Sequence, residues 1–410
     1  MKNSNLSNFE LLTPKYERDN IKLDLSRIKE VLKKLDNPCQ NIPAIQIVGT
    51  NGKGSIAAYL ESILFEAKKN FGVTTSPHLL DICERIRVNK RNINKTDFET
   101  IYRLIEKNFS TYELTPFEKI ICCALNFFDN EKVELLILEA GLGGRLDATT
   151  AHKLRPIIAI GNIGLDHKKF LGDTIEKIAK EKLAVIEKNS IVVSCKQNFQ
   201  VENLITKKVE EVGAEIIWKD SISNSYELGL KGIFQKQNAS VAVGAIEALN
   251  KLGFNIKEKY ISEGLKKTTW KGRLEIINYL NKKILVDCAH NYPAAKALSN
   301  ERSNWENEEE GIYWILGVQK QKDMDAILKT LLKKNDHLLL VPVPNQPSWK
   351  LKDLSQIKEI NFQNIIEFEK FEFAIEYLFA LKKWPPNHPV LTGSIFLVAE
   401  FIKFANKQKC

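Results

Sequence analysis

The sequence predicts an α/β protein with two domains, each built on a mainly parallel sheet. At 410 residues the chain exceeds one ordinary core, because a domain takes roughly 150 residues. Short apolar runs alternate with stretches of helical period along most of the chain, as in parallel sheets covered by helices. A polar Asn-Lys-Lys cluster at 281–283 separates two series of such runs. We therefore predict a larger domain over residues 1–278 and a smaller, Rossmann-like α/β domain over residues 279–410.

Six strands are predicted in the larger domain. Each is a short run of mostly apolar residues next to polar residues or glycine. Helical stretches lie between most of them, including 56–67, 117–128 and 174–188. The predicted strands span 43–48, 71–74, 134–139, 157–160, 191–194 and 215–218.

The smaller domain continues the same alternation of strands and helices. Its predicted strands span 284–287, 311–316, 337–341 and 389–391. Because α/β sheets bind ligands at the carboxyl ends of their strands, polar side chains that follow these runs are candidates for a site.

Composition excludes several classes of protein. A hydrophobic fraction of 44% with 27% charged residues is typical of a globular chain and excludes disordered or collagen-like ones. The net charge of +9 would suit nucleic acid or an anionic surface. The lysines are interleaved with glutamates, however, as in Lys180-Glu181-Lys182, which indicates solvated helix faces. We expect neither nucleic acid nor a membrane as a partner, and we expect a monomer.

Cysteine usage and the first residues predict a cytoplasmic location. The seven cysteines are an odd number without C-x-x-C spacing, so they indicate neither a disulfide framework nor a zinc ribbon. Residues 1–10 carry no apolar stretch behind a basic head, and no run approaches the ~18 apolar residues that span a bilayer.

A glycine-rich loop at residues 49–55 carries the strongest local signal. It follows an apolar strand and precedes a helical stretch, so its backbone N–H groups and the helix N-terminus can hold phosphate oxygens. Gly54 separates the lysine from the serine, which departs from the pattern G-x-x-x-x-G-K-[ST]. The alternative interpretation is a glycine-rich turn without a ligand. The predicted ATP-contacting residues are Asn51, Gly52, Lys53, Gly54 and Ser55, with Ser55 also a Mg²⁺ ligand.

Three further residues are candidates for a metal centre. Glu139 ends an apolar run, although a carboxylate there is often only a turn acceptor. His167 ends the strand-like segment 157–165, where a histidine is usually structural. Lys182 lies on the apolar stripe of its predicted helix, which leaves two interpretations open. Its ammonium reaches water along a packed stem, or it is buried and functional.

The loop at 49–55 resembles the phosphate loop of the Mur ligase superfamily, and specifically of the folylpolyglutamate synthase/dihydrofolate synthase family. Further motifs of this family recur in order along the chain. They are 76–79 with 84–86, 139–149, 164–167, 171–174, 181–182, 272–275, 287 with 289–291, and 392–394.

The resemblance implies an ADP-forming carboxylate-amine ligase that uses ATP and Mg²⁺. Such an enzyme adds L-glutamate to dihydropteroate and to reduced folates through an acyl phosphate. It further implies a Mg²⁺ site of Ser55, Glu139, His167 and Lys182, with Lys182 carbamylated by CO₂. The residues that it implies for catalysis are Lys53, Lys182, His167 and His290. Those that it implies for the nucleotide, besides the phosphate loop, are Gln235, Asn238, Arg273 and Asp287.

The resemblance also implies the residues that contact the other substrates. Phe117 could stack on the flat pterin ring, or it could be a core residue at the start of its helix. The residues implied for the pterin or folate are Ser76, Pro77, His78, Glu84, Arg85, Phe117, Arg145 and Asp147. Those implied for L-glutamate, by similarity to more distant Mur ligases, are Lys322 and Ser394.

Three other functions compete with this one. A different Mur-type amide ligase would share the phosphate loop. A basic phosphate-loop ATPase acting on nucleic acid would explain the net charge, but it predicts clustered Lys and Arg with interleaved aromatics, which the sequence lacks. A non-catalytic nucleotide-binding protein would not need the lysine, the carboxylate and the histidine together.

Overall fold

A computed structural model describes residues 23–223, 225–304, 310–354 and 364–407. The chain forms two compact units, Met1–Gly229 with Lys236–Thr268, and Leu230–Gln235 with Thr269–Cys410. The predicted α/β class is confirmed in both. No helix among the described residues is long and apolar enough to cross a bilayer.

The first unit contains a sheet of eight strands among the described residues, in the order β4-β3-β2-β5-β1-β6-β7-β8. In this spatial order, every pair of neighbouring strands from β2 across to β8 is parallel. Strand β3 pairs antiparallel with β2, and β4 pairs antiparallel with β3. All six predicted strands are present with small shifts at their ends. The strands are β1 Ala44–Val48, β2 Phe71–Thr74, β3 Ile86–Val88, β4 Arg91–Asn92, β5 Leu135–Glu139, β6 Ile157–Ile160, β7 Ile191–Cys195 and β8 Glu215–Lys219.

Helices cover this sheet through two separate apolar clusters. One contains residues of β5 and of the helices α1, α3 and α4, and the other contains residues of β6, β7, α6 and α7. The helix predicted over 174–188 is shorter and ends at Leu183. The helices are α1 Ser26–Lys34, α2 Lys53–Glu66, α3 Lys95–Asn108, α4 Pro116–Asn130, α5 Lys168–Leu171, α6 Ile175–Leu183, α7 Phe199–Val212, α8 Ile233–Lys251 and α9 Glu258–Lys267.

The second unit contains a sheet of six strands among the described residues, in the order β13-β12-β11-β14-β10-β9. Pairing is parallel except between β9 and β10. The four predicted strands are present, and β9 and β13 add to them. The predicted boundary at 278/279 falls inside β9. The second part of the second unit begins ten residues earlier, at Thr269. The strands are β9 Glu275–Tyr279, β10 Lys282–Val286, β11 Tyr313–Leu316, β12 His337–Leu340, β13 Ile365–Glu367 and β14 Val390–Thr392.

Alternate residues of β11 and its extension face opposite sides of the second sheet. Trp314, Leu316 and Val318 belong to one apolar cluster with residues of α10 and α11. Gly317 faces the other side, where a Cβ atom would lie 3.0 Å from Leu397 of α14. The helices of this unit are α10 Tyr292–Asn300, α11 Met324–Leu331, α12 Leu351–Leu354, α13 Phe371–Ala380 and α14 Ile395–Lys407.

Candidate active site

The phosphate loop leads from β1 directly into α2. Gly52 is the N-cap of α2 and has φ = +87°, a left-handed conformation that glycine adopts without a Cβ penalty. The N–H groups of Thr50 and Asn51 donate to the carbonyl of Asn162, at 2.7 and 3.1 Å, which fixes the loop to the segment after β6. The first N–H groups of α2 point out of the helix, where they favour an anion.

Two lysines converge on this loop. Lys53 Nζ lies 3.2 Å from the carbonyl oxygen of Gly49 and 3.3 Å from that of Thr50. Lys182 Nζ donates to the same Gly49 oxygen at 2.7 Å, although Lys182 is far from Gly49 in the sequence. The Lys53 ammonium and the N-terminus of α2 create local positive potential at the loop, which suits a polyphosphate.

The Lys182 side chain is 4% exposed, so the interpretation that its ammonium reaches water is wrong. Burial, followed by repulsion from Lys53, lowers the pKa of Lys182 to about 7, while Asp166 and Asp147 act in the opposite direction. A lysine with this pKa is partly neutral at physiological pH. Its amine is then available as a nucleophile.

Buried carboxylates lie at the same edge of the sheet. Glu139 ends β5 and is paired in register with Ile47 of β1, two residues before the loop. It is buried and accepts a hydrogen bond from the Ser76 N–H at 3.0 Å. Asp166 is also buried and close enough to Lys182 to affect its pKa, yet it was not among the predicted site residues. The sequence signal that could have identified Asp166 as a site residue was its position directly before His167.

His167 lies in the loop beyond β6, because that strand ends at Ile160, as predicted, and the strand-like segment 157–165 does not continue as a strand to His167. Its backbone φ is +51°, and its N–H donates to Asp166 Oδ1 at 2.7 Å. Among the described residues, no three His, Cys, Asp or Glu side chains form a cluster that could hold a metal. The predicted donor set includes only one carboxylate and one imidazole of those types. In that prediction a serine hydroxyl and a carbamylated lysine supply the rest.

The loop after β5 packs on helix α6. A Cβ atom at Gly144 would lie 2.8 Å from the Lys182 carbonyl oxygen, so only glycine allows this approach. Arg145 pairs with Glu181 at 2.9 Å in a mostly exposed ion pair. Asp147 is buried and accepts from the Leu142 N–H and from both donors of Thr149, at 2.6 to 3.0 Å. Burial raises the pKa of its carboxyl. Both predicted pterin contacts therefore also hold the loop in place.

A buried amide in β1 was missed from the sequence. Gln46 Nε2 donates to the hydroxyls of Thr149 and Thr150, and its Oε1 accepts from Arg155, at 2.7 to 2.9 Å. Arg155 in turn pairs with Glu187 at 2.6 Å. A glutamine inside the otherwise apolar run at 44–48 was the available signal. This network fixes β1 and the loop after β5 to each other.

The predicted substrate loop at 76–85 is held by its own side chains. Glu84 accepts from the N–H groups of Leu79 and Leu80, and Arg85 Nε donates to His78 Nδ1 at 2.9 Å. The Ser76–Pro77 peptide bond is cis.

Phe117 packs as the core interpretation predicts, and its stacking on a pterin ring stays a prediction. It lies in the first turn of α4, is partly buried, and packs on an apolar cluster. Its ring also lies against Gly141, where a Cβ atom would be 2.8 Å away. The ring is thus next to the loop that follows Glu139.

Helix α8 brings Asn238 to the phosphate loop, and its nucleotide role stays a prediction. A Cβ atom at Gly52 would collide with Asn238 Oδ1. Gln235 lies one turn earlier on the same helix and is fully buried.

In the second unit, Asp287 and His290 follow β10. Both Asp287 oxygens accept backbone N–H groups, from Leu274 at 3.0 Å and Ala289 at 2.8 Å. Burial raises the pKa of this carboxyl, and the Arg273 guanidinium opposes the shift. His290 Nδ1 lies 2.8 Å from the Cys288 carbonyl oxygen.

The two predicted glutamate contacts follow neighbouring strands, β11 and β14. The Lys322 carbonyl accepts from Trp349 Nε1 at 3.1 Å, which anchors its loop. Ser394 is buried at the start of α14, and its Oγ accepts from the Phe396 N–H. The loops meet at Gly393, where a Cβ atom would lie 2.5 Å from the Gly317 carbonyl oxygen.

Known proteins resemble the chain along most of its length. Residues 273–404 match the family model described as the C-terminal domain of dihydrofolate synthetase. The chain is 31% identical to a probable dihydrofolate synthetase of Schizosaccharomyces pombe, over 94% of this chain and 98% of that one. A structure of a bifunctional folylpolyglutamate synthase/dihydrofolate synthase from Yersinia pestis, complexed with AMPPNP and Mn ion, is 25% identical with a TM-score of 0.82 and covers 95% of both chains. A structure of such a bifunctional enzyme with Mn, AMPPNP and L-glutamate bound is 25% identical with a TM-score of 0.83, over 95% of this chain and 96% of that one.

Proposed function

The chain belongs to the folylpolyglutamate synthase/dihydrofolate synthase family, and from this we propose that it is an ATP-dependent ligase that joins L-glutamate to dihydropteroate and to reduced folates. The observation that carries the proposal is the pair of lysines, one of them buried, on the phosphate loop. Lys182 Nζ lies 2.7 Å and Lys53 Nζ 3.2 Å from the Gly49 carbonyl oxygen. The Lys53 ammonium at a helix N-terminus suits the terminal phosphates of ATP, and the buried Lys182 is held at the same loop, where its proposed carbamate would face the metal.

The reaction needs no nucleophilic side chain. A carboxylate oxygen of the pterin substrate attacks the γ-phosphorus, and the bond between that phosphorus and the β,γ-bridging oxygen breaks to release ADP. The amine of L-glutamate then attacks the carbonyl carbon of the acyl phosphate. The amine loses a proton, and inorganic phosphate leaves. Lys53 and the first N–H groups of α2 hold the phosphates while negative charge moves onto the leaving oxygen.

The residues near the loop fit a magnesium ion. Ser55 is buried in the first turn of α2 and Glu139 is buried at the end of β5, and both offer the oxygen donors that Mg²⁺ prefers. When bound, the ion supplies charge neutralisation on the phosphate oxygens. The hydrogen bond from the Ser76 N–H fixes the Glu139 carboxylate, so the donor is oriented before the ion arrives.

We propose that Lys182 reacts with CO₂ to form a carbamate. The neutral amine forms a bond to the carbon of CO₂ and releases one proton, which converts a cation into an anionic oxygen donor. A pKa of about 7 supports this step, because a substantial fraction of the amine is neutral near pH 7. The carbamate would join Ser55, Glu139 and His167 as a ligand of the ion.

The remaining roles follow the sequence predictions. We propose that Asn51, Gly52, Gly54, Gln235, Asn238, Arg273 and Asp287 contact the nucleotide, and that His290 approaches the reacting phosphate. We propose that Ser76, Pro77, His78, Glu84, Arg85, Phe117, Arg145 and Asp147 contact the pterin or order the loops that do, and that Lys322 and Ser394 contact L-glutamate. The close packing of Asn238 on Gly52 and of Phe117 on Gly141 supports two of these assignments.

We propose that the protein acts as a monomer in the cytoplasm and does not bind nucleic acid. The six cysteines among the described residues are free thiols, which suits a reducing compartment. Surface lysines pair with acidic neighbours on their own helices, as in Lys180 with Glu176 at 2.7 Å, so their charge is locally balanced.

ADP release measures the function directly. The purified chain is assayed with ATP and Mg²⁺, with and without L-glutamate, and with either dihydropteroate or tetrahydrofolate. We expect release that requires both L-glutamate and a pterin, and the ratio of the two rates gives the balance of the two activities. Release that is stimulated by polynucleotide instead, or is indifferent to both pterins, would reject the proposal.

A further inference from the structure

Gln319 carries an unmatched hydrogen-bond donor at the carboxyl edge of the second sheet. Its side chain is 6% exposed. Nε2 is buried, and no acceptor for it is found among the residues that the structure describes. Buried amide groups are almost always hydrogen-bonded, so a donor without a partner points to a group that is added later.

The backbone around Gln319 is fixed. Lys322 N donates to the Gln319 carbonyl at 2.9 Å, Lys320 N donates to Pro347 at 2.9 Å, and Gln319 forms a backbone bridge with Ser348. Trp349 N donates to the Val318 carbonyl at 3.0 Å. The side chain can therefore turn about its own torsions, but the loop holds its starting point in place.

The position of Gln319 directs it to the amino-acid end of the reaction. Trp314, Leu316 and Val318 face one apolar cluster, so Gln319 lies on the opposite face with Gly317. That face is covered by α14, whose Leu397 lies against Gly317. The helix has 13 residues and begins directly after Ser394, and Lys322 follows Gln319 in the same loop. A neutral donor, a cation and a helix N-terminus together suit a carboxylate.

We propose that Gln319 is a substrate-binding residue whose Nε2 donates to a carboxylate oxygen of the incoming L-glutamate. This inference rests on the proposed ligase function and adds a specificity contact to it. L-Glutamate has two carboxylates that must lose water on binding, and an amide donor compensates for one of those lost contacts. A glutamine also has no charge to lose, so the donor itself does not titrate.

The test compares Gln319→Leu with Gln321→Leu, a matched control at an exposed glutamine of the same loop. ADP release is measured against L-glutamate concentration at saturating ATP and dihydropteroate. We expect Gln319→Leu to raise KM for L-glutamate about tenfold, because a hydrogen bond to a charged group is lost. KM for ATP and for dihydropteroate should stay within about twofold, and Gln321→Leu should match the wild type.

A second variant of nearly the same shape separates the loss of the hydrogen-bond donor from a general loss of folding. Gln319→Glu retains the side-chain shape and replaces the donor with an anion, so KM for L-glutamate should rise further than in Gln319→Leu. An unchanged KM for L-glutamate in both variants, a rise in KM for ATP instead, or an equal loss with all substrates would overturn the inference. Wild-type protein without glutamate-dependent ADP release would reject the ligase function itself, which separates the two failures.

Discussion

The carboxyl edges of the two sheets differ in how fully their polar side chains are paired before any ligand binds. At the first edge, Lys182 and Lys53 donate to the Gly49 carbonyl, and Asp147 accepts from three donors. At the second edge, Gln319 Nε2 finds no acceptor among the described residues. The side chains around the phosphate loop are thus already paired, whereas we propose that Gln319 finds its acceptor in a ligand. Changes at the phosphate loop of the first edge should affect the use of ATP, and changes around Gln319 at the second should weaken the binding of L-glutamate.

Of the variants that test this comparison, Lys53→Ala should have the largest effect on activity. Removal of the ammonium leaves the terminal phosphates without one of their charge partners, so kcat for ADP release should fall about a thousandfold. The matched control is Lys207→Ala, an exposed lysine on α7 that should keep full activity. A loss of less than tenfold would show that the first edge does not depend on this lysine.

Lys182→Met separates activity from stability. We expect kcat to fall about a hundredfold. The variant should nevertheless be more stable than the wild type at pH 6, by about 5 kcal/mol at most, because a buried ammonium is removed. The folded pKa of about 7 lies below the ordinary value of 10.5, so the unfolded chain binds more protons than the folded one between these pH values.

The stability of the wild type should therefore rise with pH in that window, and the advantage of Lys182→Met should disappear as pH 10.5 is approached. Urea unfolding at pH 6 and pH 9.5, without metal or ATP, measures this difference. Lys180→Met, at an exposed position of the same helix, is the control and should show no such trend. A pH-independent difference for Lys182→Met would mean that the lysine is not a buried titrating group.

Two matched glycine variants, one at each sheet edge, should have smaller effects on substrate binding and stability. Gly52 and Gly393 both have positive φ, +87° and +101°. Gly52→Ala meets the flexible amide of Asn238, whereas Gly393→Ala meets the backbone oxygen of Gly317. We expect Gly52→Ala to raise KM for ATP about tenfold at a cost of ~1 kcal/mol in stability. Gly393→Ala should cost about 2 to 3 kcal/mol and raise KM for L-glutamate instead. Effects on the same substrate in both variants would remove the distinction between the edges.

The sequence was sufficient for the parallel strands and for the phosphate loop, because both leave local patterns. Strands β3 and β4 were missed since Arg87 and Arg91 interrupt any apolar run. Arg87 is nevertheless buried, because it pairs with Glu61 at 2.9 Å. Such a pairing between distant residues has no local signature. Strand β9 was missed because its apolar and polar residues do not alternate in sequence, since Ile276 and Ile277 are adjacent and Asn278 interrupts the run.

The site residues also divide into those that a local motif predicts and those that only contacts between distant residues reveal. The motif around Lys182 predicted its importance, but periodicity alone could not decide between a buried and a solvated ammonium. The contact with Gly49 decides it, and that contact joins residues far apart in the chain. Gln46 and Gln319 were not found, because a single glutamine is usually a surface residue and only tertiary packing makes it buried.

The central claim is that the first edge converts a pterin carboxylate into an acyl phosphate. The direct measurement uses dihydropteroate labelled with ¹⁸O in its carboxylate, with ATP, Mg²⁺ and L-glutamate, and mass spectrometry of the inorganic phosphate. The account predicts that each released phosphate carries one oxygen atom from that carboxylate. Phosphate without the label, at full amide formation, would contradict it.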